Sequence, residues 1–189
     1  AYVLTIDNYS FYHCIVLTDV EVPNTVKCIG YAAFGKCYNL IKLSIPFVGA
    51  HEYEDNTVES LFGYIFGDGS NNNQEYSYDD LEDSSNKYFG LTQVIQKVGA
   101  INYTYYIPSN LSHVILTKDT TIGSYAFYNC TMIQRFDSET VGTIMDHAFE
   151  YCSNLQEFNP ENDYKVVMPL SLTEMQDYAF ANCNSINSL

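Results

Sequence analysis

Six cysteines and four histidines are the residues of this chain best suited to covalent or metal chemistry. Nucleophilic catalysis needs a thiol or hydroxyl with a base within hydrogen-bond reach. Only His13 and Cys14 are sequence neighbours, and adjacent residues on a turn point in different directions. His13 and Asn129 share a repeat position, described below, that suits a solvated turn, and His147 fits an outer position. No Cys-x-x-Cys pair occurs, so a zinc site has little support. Asp68-Gly-Ser-Asn-Asn-Asn-Gln-Glu75 offers oxygen ligands but lacks the Asp-x-Asp-x-Asp-Gly order of a calcium loop. Asp79, Asp80, Glu82 and Asp83 read as solvated charge. The expectation is therefore no catalytic residue, no cofactor and no metal. Asn8, Asn102, Asn110 and Asn129 each begin an Asn-x-Ser/Thr triplet, and composition alone yields about 2.5 such triplets by chance.

The bulk composition narrows the possible partners. The net charge is −15, which repels a phosphate backbone or an anionic membrane surface. No apolar run reaches the ~20 residues of a membrane helix. The first residues, Ala1–Thr5, lack the charged start and apolar stretch of a signal peptide. With 18 tyrosines and no tryptophan, the chain is rich in a residue that supplies contact area at low entropy cost.

The elements that position these residues come from an internal repeat. Phe-x-x-Cys occurs at Phe11–Cys14, Phe34–Cys37, Phe127–Cys130, Phe149–Cys152 and Phe180–Cys183. Ala precedes the Phe in four cases and Ser10 in the first. Five residues before the Phe stand Ile6, Ile29, Ile122, Ile144 and Met175. Eight before it stand Val3, Val26, Val141 and Leu172, and Asp119 breaks the pattern. After the Cys come Leu17, Leu40, Ile133, Leu155 and Ile186, then Val20, Leu43, Phe136, Phe158 and Leu189. Cys14 and Cys37 are 23 residues apart, Cys130 and Cys152 22. A unit of this length cannot bury its apolar side alone, whereas stacked units share one core. Short strands are expected at 17–22, 40–45, 111–116, 133–136 and 155–158, parallel and side by side in one sheet. Ala-Phe fills the opposite wall. The ladder cysteines are expected as buried reduced thiols, with bridges between successive turns as the alternative. Cys28, off the ladder, is expected near the surface.

The pattern Ile-Gly-x-x-Ala-Phe-x-x-Cys-x-x-Leu-x-x-Ile-x-Ile-Pro, best carried by residues 29–46 and 122–136, resembles the BspA-like leucine-rich repeats of bacterial and protist surface proteins. The resemblance implies a repeat solenoid of strand-rich α/β class, a right-handed superhelix, placed outside the cell or on its surface. It also implies adhesion to a protein ligand of a host or partner cell, and no enzymatic activity.

Between Pro46 and Pro108 the period is lost. Cys37 and Cys130 are 93 residues apart, so one repeat is expanded by roughly 70 residues. The expectation is one domain over 1–189, part of a longer array, with an acidic insertion at about 47–107. Residues 51–86 hold ten acids and no Lys or Arg. Val58–Phe66 and Leu91–Val98 suggest short helices, and Gly67–Lys87 reads as a mobile loop whose deletion would leave the rest folded. A smaller insertion covers Asn159–Lys165.

The partner surface is expected on the strand face, at the positions between inward apolar residues. These are Thr18, Asp19 and Glu21, then Ile41, Lys42 and Ser44. Ser112, His113 and Ile115 follow, then Gln134, Arg135 and Asp137, then Gln156 and Glu157. Two other readings stand beside it. One is a spacer or stalk, and the other is a carbohydrate-binding surface using Tyr103, Tyr105 and Tyr106.

Overall fold

A computed structural model describes residues 2–53, 55–69, 89–159 and 168–186. Twelve strands occur among them: β1 (Thr5–Ile6), β2 (Asp19–Glu21), β3 (Cys28–Ile29), β4 (Lys42–Ile45), β5 (Leu91–Val98) and β6 (Ile101–Pro108). They continue with β7 (His113–Leu116), β8 (Thr121–Ile122), β9 (Arg135–Asp137), β10 (Thr143–Ile144), β11 (Glu157–Phe158) and β12 (Glu174–Met175). The only helical elements among the described residues are two 3-10 turns, Val58–Ser60 and Phe62–Ile65. The α part of the expected class is thus absent from the described residues, and the chain is strand-rich. The segment around each Phe is a run of turns with two left-handed residues, a backbone that no α-helix can contain.

Five strands form one parallel sheet in the order β2-β4-β7-β9-β11. Lys42 of β4 aligns with His113 of β7, so the sheet continues directly across the expanded repeat. Leu43, Val114, Phe136 and Phe158 point inward and are fully buried. A second set of parallel strands carries the inward isoleucines, and it is interrupted. β1 pairs β3, and β8, β10 and β12 pair among themselves. Between the two sets, Ala50 takes the place of a strand, accepting from Ile29 N–H and donating to Glu59 C=O at 2.9 and 2.8 Å.

The wall opposite the strand sheet is a backbone ladder. The N–H of each Phe donates to the C=O of the next turn's Ala: Phe11 to Ala33, Phe127 to Ala148, Phe149 to Ala179, each at 2.8 Å. The rings follow, with Phe127 and Phe149 stacked at 5.0 Å and Phe149 and Phe180 at 5.0 Å. The expanded repeat keeps this wall. Phe34 N–H donates to Ile65, and Phe62 N–H to Ala126, so Leu61–Phe66 bridges the turns that flank it. Phe34, Phe127 and Phe149 are fully buried, while Phe11, in the first turn, is 40% exposed.

Two residues per repeat adopt left-handed backbone, two before and two after the Phe: Ala32 and Lys36, Tyr125 and Asn129, His147 and Tyr151. For a non-glycine residue this costs of order 1 kcal/mol. It turns the residue's N–H along the stack, where Tyr125 donates to Asp146 and Asn129 to Glu150. His13 shares this geometry with Asn129 at a half-exposed turn.

Leu91–Val98 is not a helix. It pairs antiparallel with β6 through a two-residue turn, Gly99–Ala100. Gly99 has φ +56°, the positive angle such tight turns require. The β-branched residues and the Gly turn outweigh the helical spacing of Leu91, Val94, Ile95 and Val98. Val58–Phe66 is helical only as the two 3-10 turns. The expected loop at 67–87 lies outside the described residues from Ser70 on, as does Pro160–Lys165 of the smaller insertion. No helix among the described residues is long and apolar enough to cross a membrane.

Candidate functional site

Strand register turns the outward positions into columns. One column reads Asp19, Lys42, His113, Arg135, Glu157, and the next Glu21, Ser44, Ile115, Asp137. Neighbours within a column are separated by one strand spacing, ~4.8 Å. Thr18, Asp19, Glu21, Ile41, Gln134 and Gln156 are exposed, and Lys42, Ser112, His113, Ile115, Arg135, Asp137 and Glu157 half-buried. Ser44, expected outward, is buried at 7% exposure, so the second column is covered at that position.

The basic side chains of this face are paired with its carboxylates. His113 Nε2 meets Asp137 Oδ2 at 2.6 Å, and Arg135 Nε meets the same oxygen at 2.9 Å. Arg135 Nη1 lies 3.6 Å from Glu157, and Lys42 Nζ 3.9 Å from Asp19. Burial pushes the Asp137 carboxyl up, but the His113 and Arg135 hydrogen bonds outweigh it and hold the group below its usual range. The result is a patch of interleaved and paired acidic and basic side chains on a strongly acidic chain.

Three of the five ladder cysteines are buried and the other two partly so. All six are free. Cys37, Cys152 and Cys183 donate S–H to the C=O of the Phe one turn earlier, at 3.2, 3.1 and 3.1 Å. Burial pushes the Cys37 thiol up to about 12 and the Cys183 thiol to about 11, which disfavours the thiolate nucleophile. Cys14 and Cys183, in the outermost described turns, are only partly buried, as is Cys28. His147 is packed between Tyr125 at 4.7 Å and Tyr178 at 4.9 Å, with Glu150 on Nδ1 at 2.5 Å. Among the described residues no group of three His, Cys, Asp or Glu is arranged to hold a metal. Beyond Gly69, the Asp68–Glu75 stretch and the acids at 79–83 lie outside those residues.

Two buried polar side chains were missed as organising residues. Gln96, on β5, is fully buried. Its Oε1 accepts from Gly63 N–H at 2.7 Å and its Nε2 donates to Ala126 C=O at 2.8 Å. It fastens the hairpin between two turns of the wall. Gly63 is required there, because a Cβ would lie 2.2 Å from the Tyr105 ring. Asp119, the break in the apolar repeat, accepts from Val48 and Tyr53 N–H, both at 3.4 Å, and so closes the start of the expansion. Burial pushes its carboxyl up to about 7, against the lowering effect of those two amides. The missed signal was present at Asp119, where a charged residue replaced an apolar one. Tyr105, expected on a carbohydrate surface, is 2% exposed because strand alternation turns it inward with Ile107. Tyr103 and Tyr106 are half-buried.

These stacked parallel strands, with one Phe, one ladder Cys and two left-handed turns per unit, define a repeat protein with leucine-rich-repeat spacing. The chain belongs to the family of the BspA type leucine rich repeat region, whose model matches residues 1–99 and 83–189 with six copies. Phe-x-x-Cys marks five of these units, and Leu61–Phe66 fills a further place in the wall without that motif. Neither curated proteins nor solved structures yield a match. Repeats of this family are in general protein-interaction modules, non-enzymatic and typically surface-located or secreted.

Proposed function

We propose that this chain is a protein-binding, adhesive module of a secreted or cell-surface protein. Its turns are read as one right-handed solenoid over 1–189 with an expansion at about 47–107. The partner is a protein of a host or neighbouring cell, and it contacts the strand face. One observation carries the reading: the register that lines up Asp19, Lys42, His113, Arg135 and Glu157 into a single column across all five strands. Ile41, 48% exposed, adds apolar area beside that column. The carbohydrate reading loses its central residue with the burial of Tyr105.

The test is a binding screen of the chain against purified extracellular-matrix and cell-surface proteins. It is repeated with Lys42→Ala, His113→Ala and Arg135→Ala combined. The partners of these side chains are partly exposed, so each pair is worth at most about 1 kcal/mol of stability. The melting temperature should therefore move by only a few degrees, while affinity falls by ten-fold or more, about 1.4 kcal/mol. Unchanged affinity moves the site off this face. A wild-type chain that binds nothing in the screen favours the spacer or stalk reading.

A further inference from the structure

Asn39, Asn110 and Asn154 occupy one repeat position, each directly before the inward Leu40, Leu111 and Leu155. In two of the three turns the side chain is committed to the stack. Asn39 Nδ2 donates to Ile15 C=O at 2.7 Å, and Asn154 Nδ2 to Thr131 C=O at 2.8 Å, each acceptor one turn earlier. The equivalent acceptor for Asn110 would be Tyr38. There the base of the hairpin intervenes, since Gly90 packs against the Tyr38 side chain and its C=O takes Ser109 N–H at 2.8 Å. Asn110 is exposed, and its amide has no partner among the described residues. It is also the only one of the three to begin an Asn-x-Ser triplet, Asn110-Leu111-Ser112.

We infer that Asn110 is an attachment site for an N-linked glycan. In the transfer, the Asn110 amide nitrogen attacks C1 of the first sugar of a lipid-pyrophosphate-linked oligosaccharide. The N–C1 bond forms, the C1–O bond to pyrophosphate breaks, the lipid pyrophosphate leaves and the amide gives up one proton. The Ser112 hydroxyl is the group the transferring enzyme requires two residues on. The fold accommodates the product because the glycan replaces no hydrogen bond and leaves from an exposed turn. Asn129, also in a triplet, differs: it is half-buried, has φ +61° and precedes the buried Cys130. A glycan on Asn110 stands just before Ser112 and bounds the strand face on the side of Ile41 and Gln134.

The inference rests on passage through a secretory route, and is tested with the full chain secreted from a eukaryotic cell. Peptide mapping after peptide-N-glycosidase treatment should find Asp at 110 in the folded, secreted protein. Asn110→Gln and Ser112→Ala should each remove that glycan without moving the melting temperature, and Ser112→Thr should keep it. Folded, secreted protein with Asn110 unmodified overturns the inference, whether or not other asparagines carry glycans. Partner binding by chain made without glycans tests the adhesive reading separately, so the two can fail independently.

Discussion

Replacing Gln96 by Leu tests how the hairpin is held. The substitution removes two hydrogen bonds in a fully buried place, and their consequences differ. Gly63 N–H has Gln96 Oε1 as its partner, at 2.7 Å. Left unpaired and buried, it costs about 1–3 kcal/mol. Ala126 C=O keeps its bond from Phe62 N–H at 2.9 Å, so there only one net hydrogen bond is lost, about 0.5–1.5 kcal/mol. The extra apolar contact of Leu offsets part of this, and the expected loss is about 1–4 kcal/mol. Gln96→Glu separates the hydrogen-bond argument from side-chain volume. A protonated Glu can accept from Gly63 and donate to Ala126, whereas a carboxylate has no donor for Ala126. A buried Glu has a raised folded-state pKa, so its stability relative to wild type is greatest below the unfolded value and is lost as pH rises through the folded one. The assay is urea unfolding followed by tyrosine fluorescence and far-UV circular dichroism, at pH 4 and pH 8. A Gln96→Leu variant within about 0.5 kcal/mol of wild type would refute the reasoning. So would a Gln96→Glu variant equally unstable at both pH values.

Three other outcomes follow from the same geometry. Phe127→Ala and Phe149→Ala, at fully buried rings stacked on each other, should each cost about 3–5 kcal/mol in chemical denaturation, and losses under about 1 kcal/mol would contradict their place in the wall. Asp119 has a folded pKa of about 7, above its ordinary 3.8, so the native state binds the proton more tightly. Its contribution to stability is full below the unfolded pKa and is lost as pH rises through about 7. Asp119→Asn should therefore flatten the fall in melting temperature over that window, and an unaltered pH profile would rule the assignment out. Lys36 has φ +56°, so Lys36→Val should melt earlier than Lys36→Gly, by about 1–2 kcal/mol in stability. Equal melting temperatures would show that the left-handed turn is not imposed by the stack.

Much of this architecture is legible in the residues alone. A unit of some 23 residues that places Leu40, Leu43 and Ile45 on one side and Ala33-Phe34 on the other can bury both only against copies of itself. That requirement sets the parallel strands, their neighbours and the buried phenylalanines before any coordinate is known. The strand-face columns follow from alternation, but their electrostatics do not. Asp137 meets Arg135 two residues away on its own strand, but it meets His113 only through register with a segment 24 residues earlier. The expanded repeat was the least legible part, because its solution uses no repeated residue. Leu61–Phe66 enters the wall in place of an Ala-Phe turn, and a hairpin lends Gln96 to complete the polar pairing there. Apolar periodicity reports which side chains leave water. Which buried N–H and C=O groups lack a partner, and which distant side chain must supply it, is decided only when the turns are brought together, because that pairing is a property of three-dimensional proximity and carries no period in the sequence.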